Sequence, residues 1–115
     1  MGDNGEKIFE SVEDMLAAPD VEYTTIDGWN GKIRIGSLTA GDMIEWAEAN
    51  EGEAKRTAGL RLIVKSLVNS EGKRIGNERH IPLLRAKSHK VTESIVRAIL
   101  KLNGFQIKED ATKKD

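Results

Sequence analysis

The chain has no cysteine, which excludes a disulfide framework, a thiolate zinc site and a cysteine nucleophile. Its apolar runs are also short, and none approaches the roughly 18–20 residues that a transmembrane helix needs. The first residues lead into an acidic amphipathic stretch instead of an apolar signal region. A length of 115 residues fits one domain. We therefore expect a soluble cytoplasmic protein with one core and no membrane partner.

Residues that carry catalysis or bind metals are scarce. Both histidines, His80 and His89, lie among lysines and arginines, and nearby positive charge disfavours protonation and repels a metal ion. The glycines form no nucleotide-binding array, and no acidic loop has the spacing of a calcium site. The carboxylates of Asp42, Glu45 and Glu48 are better explained by helix capping and a solvated face. We expect no enzymatic activity, no cofactor and no metal.

Charge is distributed unevenly along the chain. Residues 1–54 carry 13 acidic and 3 basic side chains, whereas residues 55–115 carry 6 acidic and 15 basic ones. The two halves can attract each other within one fold, bind an oppositely charged partner, or support head-to-tail self-association. Nucleic acid is a weak candidate partner, because the basic half has almost no aromatic residue for stacking on bases.

Local patterns predict an α+β fold, with a short N-terminal β-hairpin followed by a predominantly helical bundle of three to four helices. β-branched and aromatic residues flank the turn signals Asp27-Gly28 and Asn30-Gly31. Thr39 is expected to cap a helix, with Asp42 as its capping-box partner. The predicted domain covers 1–107, with helices at 6–18, 39–50, 54–68 and 88–103, a hairpin at 21–36, and a disordered tail at 108–115.

Two of the predicted helices have more apolar surface than a thin core needs. The first has an apolar stripe at helical spacing, and the last is apolar over more than one stripe. Such a face is either buried in the core or shared with a partner. On the second interpretation, the candidate partner-binding residues are Ile8, Phe9, Val12, Met15, Val91, Ile95 and Ile99.

The order of these features resembles the tail assembly chaperones of long-tailed bacteriophages. The resemblance covers roughly residues 21–105 and rests on the order and spacing of short motifs. These are GSLTAGD at 36–42, the acidic helix with Trp46, VNSEGK at 68–73, IPLL at 81–84 and LNG at 102–104.

The resemblance implies a protein that acts in the host bacterial cytoplasm and is absent from the mature virion. Chaperones of this kind bind the tape measure protein, keep its long apolar helices soluble and help recruit tail tube subunits. No site residue transfers from the family. A small nucleic-acid-binding phage regulator and a structural head-tail or tail component are the alternative functions.

Overall fold

Helices and a small sheet alternate along residues 7–105, the part of the chain that the computed structural model describes. The fold is therefore α+β with an early hairpin, as the sequence predicts. The strands are β1 (Tyr23–Gly28), β2 (Gly31–Gly36) and β3 (Leu67–Val68). The helices are α1 (Val12–Ala17), α2 (Ala40–Glu48), α3 (Glu53–Arg56), α4 (Ala58–Ser66), α5 (Ile81–Arg85) and α6 (His89–Leu102), and a 3₁₀ turn (Glu78–His80) precedes α5.

The hairpin forms the first half of an antiparallel sheet with the order β1-β2-β3. Gly28 pairs with Gly31, so Trp29 and Asn30 make the turn. Asn30 has a φ of 61°, in the left-handed region that asparagine enters more readily than most residues. This turn holds the Trp29 side chain at the tip of the hairpin.

The core lies between the inner face of this sheet and helices α4 and α6, which also pack on each other. Alternation along β2 turns its isoleucines towards the helices, while Lys32 and Arg34 lie on the other face. The fully buried apolar cluster comprises Ile35, Leu62, Ile63, Ile95 and Ile99. The acidic and basic halves of the sequence therefore share one core.

The predicted helix at 54–68 is interrupted in the structure. Thr57 has non-helical backbone angles, φ −106° and ψ 19°, and separates α3 from α4. Leu67 is extended and pairs with Ile35, so the last two predicted helical residues form β3 instead. The cause is a long-range contact. The free edge of β2 pairs with Leu67–Val68, whose side chains are of types that suit a strand.

The other predicted elements are present with shorter bounds, but the prediction of helix over residues 7–11 is wrong, because the helix starts only after its cap at Ser11. Helix α1 begins at Val12, where the Ser11 hydroxyl accepts a hydrogen bond of 3.1 Å from the Asp14 backbone N–H. Helix α6 matches its predicted bounds to within one residue. The predicted helix start at Glu6 and the predicted disordered tail at 108–115 lie outside the described residues.

The capping box at the start of α2 is confirmed and includes an additional ion pair. The Thr39 hydroxyl accepts from the Asp42 backbone N–H, and the Asp42 carboxylate accepts from the Thr39 backbone N–H. Arg74 donates to the same carboxylate at 2.6 Å. This bond from Arg74 lowers the pKa of Asp42 from 3.8 to about 2, with the Thr39 hydrogen bonds acting in the same direction. The pair ties the helix start to the segment that follows β3.

This lowered pKa predicts a pH-dependent stability difference between the wild type and an Asp42→Asn variant. The ionised carboxylate stabilises the fold above the ordinary pKa of 3.8, and that contribution is lost as the pH falls towards 2. The variant should be about 1 kcal/mol less stable at pH 6, after allowance for solvent screening, and nearly equal at pH 2. Urea unfolding across this range measures the difference. Asp27→Asn is the control: it removes an exposed pair with Lys32 and should change the free energy of unfolding little at any pH. A stability difference between the wild type and Asp42→Asn that stays the same at every pH would contradict this prediction.

Candidate partner-binding groove

The N-terminal set of predicted partner-binding residues is exposed. Ile8, Phe9, Val12 and Met15 all lie on the surface, and α1 has no buried residue. Val12, for example, is 61% exposed. These four exposed side chains, of which only Val12 and Met15 lie on α1, are therefore available to a partner, and their use by one stays a prediction.

The second set is placed differently. Ile95 and Ile99 are 1% and 0% exposed, and Val91 is partly buried against the same cluster. Their assignment as partner-contacting residues was wrong for Ile95 and Ile99, because the sheet and α4 cover that face of α6. Val96 and Leu100 also pack on the core, so the wide apolar arc of α6 is used within the fold.

A different apolar surface is open to solvent, between the hairpin tip and α5. It is a groove with a volume of about 570 Å³. Trp29 and Leu83 stand on its walls, and Leu67 and Leu84 are less exposed. Leu83 is 66% exposed and Trp29 is 37% exposed. The residues that line this groove are Trp29, Leu67, Ile75, His80, Leu83, Leu84 and Lys87.

Each wall of the groove is fixed by local structure. The backbone N–H of Ile75 donates to the carbonyl of Leu67 at 3.0 Å, which holds Ile75 beside β3. Pro82 lies in the first turn of α5, where its missing N–H leaves no hydrogen bond unmade. Leu84 packs on the core cluster, whereas its neighbour Leu83 points outwards. The groove is therefore a formed apolar surface on defined elements.

The sequence segment that contributes most of the lining residues is basic. Residues 73–90 contain six lysines and arginines and one glutamate. Arg74 is committed to Asp42, and Lys87 places its ammonium 5.1 Å from the centre of the Trp29 ring, within cation–π range. Within the described range 7–105, no ion pair holds the others, which are Lys73, Arg79, Arg85 and Lys90. Of these lysines and arginines only Lys87 lines the groove, so the groove itself is an apolar surface with one lysine beside it.

Sequence patterns alone did not identify this groove. The sequence places Trp29 between two turn signals and Leu83-Leu84 in the IPLL motif, and both patterns are local. One signal was present: a tryptophan in a two-residue turn has no neighbours in its own hairpin to bury it. The partners that line the groove with it come from residues 67–87, which no local pattern connects to the turn.

The two histidines make local contacts. His80 accepts a hydrogen bond from the Asn77 backbone N–H through Nδ1 at 3.1 Å, and His89 lies 2.9 Å from Glu93 on an exposed face. Among residues 7–105, no three Asp, Glu or His side chains come together as a metal-ligand set. In the same range no helix is long and apolar enough to cross a bilayer.

Comparison with known proteins finds no matching family model, no matching curated protein and no matching solved structure.

Proposed function

We propose that this chain is a tail assembly chaperone of a long-tailed bacteriophage. In this proposal it binds the tape measure protein, keeps that protein soluble in the host bacterial cytoplasm, helps recruit tail tube subunits and is absent from the mature virion. The motif order at 36–104 supports the family. The observation that carries the binding activity is the open apolar groove between Trp29 and Leu83.

The groove supports this function through its shape and chemistry. A tape measure segment is an amphipathic helix whose apolar stripe is insoluble when exposed. Such a helix can place side chains one turn apart into an apolar groove, which removes them from water. Trp29 supplies a large and rigid contact surface, of the kind that contributes most to binding energy. Leu83 and Ile75 add further apolar surface to the lining of the groove.

The binding stays reversible in this mechanism because the contact is small. Only a few apolar side chains line the groove, and much of the gain from burying them offsets the entropy lost on association. A chaperone needs such a contact, since the client must be released when the tail tube assembles around it. Several copies along one long client would compensate for the weakness of each contact.

An Asp substitution in the groove should separate binding from folding. Leu83→Asp places a charge on the exposed wall of the groove and should reduce the yield of co-purified tape measure protein by about tenfold, equivalent to 1.4 kcal/mol. Ile44→Asp is the matched control, because Ile44 is 57% exposed on α2 and lies outside the groove. The measurement is affinity capture after co-expression with a tape measure protein. Equal capture by both variants would refute the assignment of the groove.

A further inference from the structure

A second cavity, separate from the Trp29–Leu83 groove, lies where the end of β2 meets the end of α4. It has a volume of about 200 Å³ and is more enclosed than the groove. Its walls come from the start of β1, the end of β2, the end of α4 and the turn after β3. This space is several times larger than one water molecule needs, so it has room for a small ligand.

The buried hydroxyl of Ser66 distinguishes this cavity from the other clefts of the molecule. Ser66 is the last residue of α4 and is 1% exposed, and its Oγ has no hydrogen-bond partner among residues 7–105. A buried hydroxyl without a partner costs free energy, and native proteins nearly always satisfy such groups. Because Ser66 lines the cavity, an occupant of that space is in position to supply the missing bond.

The other polar side chains on the walls are also able to donate. Ser37 Oγ accepts from the Glu22 backbone N–H at 2.9 Å. Thr39 Oγ1 accepts from the Asp42 backbone N–H at 3.0 Å, so both hydroxyls keep their own proton for a further partner. Arg74 lines the cavity too, and only part of its set of five N–H donors is used by Asp42. These walls therefore suit a ligand that accepts hydrogen bonds.

The arginine charge at the cavity is only partly neutralised. Arg74 is paired with Asp42 at 2.6 Å. Arg34 lies 4.2 Å from the centre of the Tyr23 ring, which forms part of the wall, and donates to two backbone carbonyls of the turn after β3. Among residues 7–105 no carboxylate pairs with Arg34, and no acidic side chain of that range lines the cavity. One uncompensated positive charge favours a ligand with one negative charge.

We propose that this cavity binds a small monocarboxylate. The carboxylate oxygens accept from Ser66, Ser37 and Arg74, and the short alkyl group lies against Val21 and Val68 on the apolar part of the wall. Hydrogen bonds to an ionised carboxylate are stronger than those between neutral groups, so the ligand compensates the buried Ser66 hydroxyl well. A ligand of so few atoms binds weakly, at millimolar concentration. The site is independent of the client groove, and its failure would leave the proposed chaperone function untouched.

Titration of the full chain with sodium butyrate, followed by the NMR shifts of the backbone amides, tests this site. At constant ionic strength, with chloride as the reference anion, we expect saturable shifts that are largest at residues 36–39 and 66–68. Butyramide has nearly the same shape without the charge and should bind about tenfold more weakly. Shifts that do not saturate, or equal binding of butyramide, would overturn a carboxylate site. Tighter binding of inorganic phosphate than of butyrate would also overturn it, in favour of a different oxyanion.

Ser66→Ala separates the ligand from the fold. Without ligand the variant should unfold at the same urea concentration as the wild type or a higher one, since it removes a buried hydroxyl that has no partner. Its affinity for butyrate should fall about tenfold. Ser94→Ala is the control, because Ser94 is exposed on α6 outside the cavity, and it should leave the butyrate affinity unchanged. An unchanged affinity in Ser66→Ala, or a clear loss of its stability without ligand, would overturn the role assigned to Ser66.

Discussion

Replacing Ile99 with alanine should lower the free energy of unfolding by about 3 kcal/mol, because Ile99 is 0% exposed in the centre of the core. The loss combines the transfer of three methyl and methylene groups with the cavity that they leave between α6, α4 and the sheet. In a chain of 115 residues this corresponds to a fall in the melting temperature of about 15 °C. Thermal unfolding followed by circular dichroism measures it.

Ile44→Ala is the matched control for this substitution. It deletes the same atoms from a side chain that is 57% exposed, so its effect should be within about 0.5 kcal/mol. A fully stable Ile99→Ala protein that failed to bind its client would instead support the original sequence interpretation, in which Ile99 contacts a partner. The experiment therefore decides between a core residue and a binding residue.

A comparable loss is expected from Gly76→Ala. A Cβ at this position would overlap the carbonyl oxygen of Val64 and lie 2.9 Å from the Val64 Cα. Both obstacles are backbone atoms, so no side-chain rotation relieves the overlap, and α4 or the segment after β3 has to move. We expect a destabilisation of about 3 kcal/mol.

Gly31→Ala is the control for the Gly76 substitution, because nothing lies within 4 Å of a Cβ built at Gly31. Urea unfolding of the two variants compares a crowded glycine with an open one. Gly76 directly follows Ile75, so the moved backbone would also displace one lining residue of the groove. Equal midpoints for the two variants would show that the segment after β3 shifts at little cost.

Local signals in the sequence predicted the hairpin, the capping box and α6. The turn signals on either side of Trp29, the Thr39–Asp42 pair and the apolar periodicity of α6 each depend on residues within a few positions of one another. Such interactions form in the same way whatever the rest of the chain does. This is why the bounds of α6 agree with the prediction to within one residue.

Long-range packing produced the features that the sequence did not reveal. Strand β3 forms because Leu67 pairs with Ile35, which lies 32 positions earlier in the chain. The apolar arc of α6 was assigned to a partner because the extent of the sheet that covers Ile95 and Ile99 was not known. The groove also results from long-range packing, since Trp29 lies near Leu84 and Lys87 only in the folded chain.

The order in which the core residues are synthesised has a consequence for the nascent chain. Ile35 on the inner face of the sheet is translated long before Ile95 and Ile99 on α6, which cover it. Until α6 leaves the ribosome, the hairpin and α4 expose isoleucine and leucine surface to solvent. The core can close only after Ile95 and Ile99 have left the ribosome, so its long-range contacts form late in the synthesis of this domain. A fragment that ended before Ile95 would expose this apolar surface and be prone to aggregation.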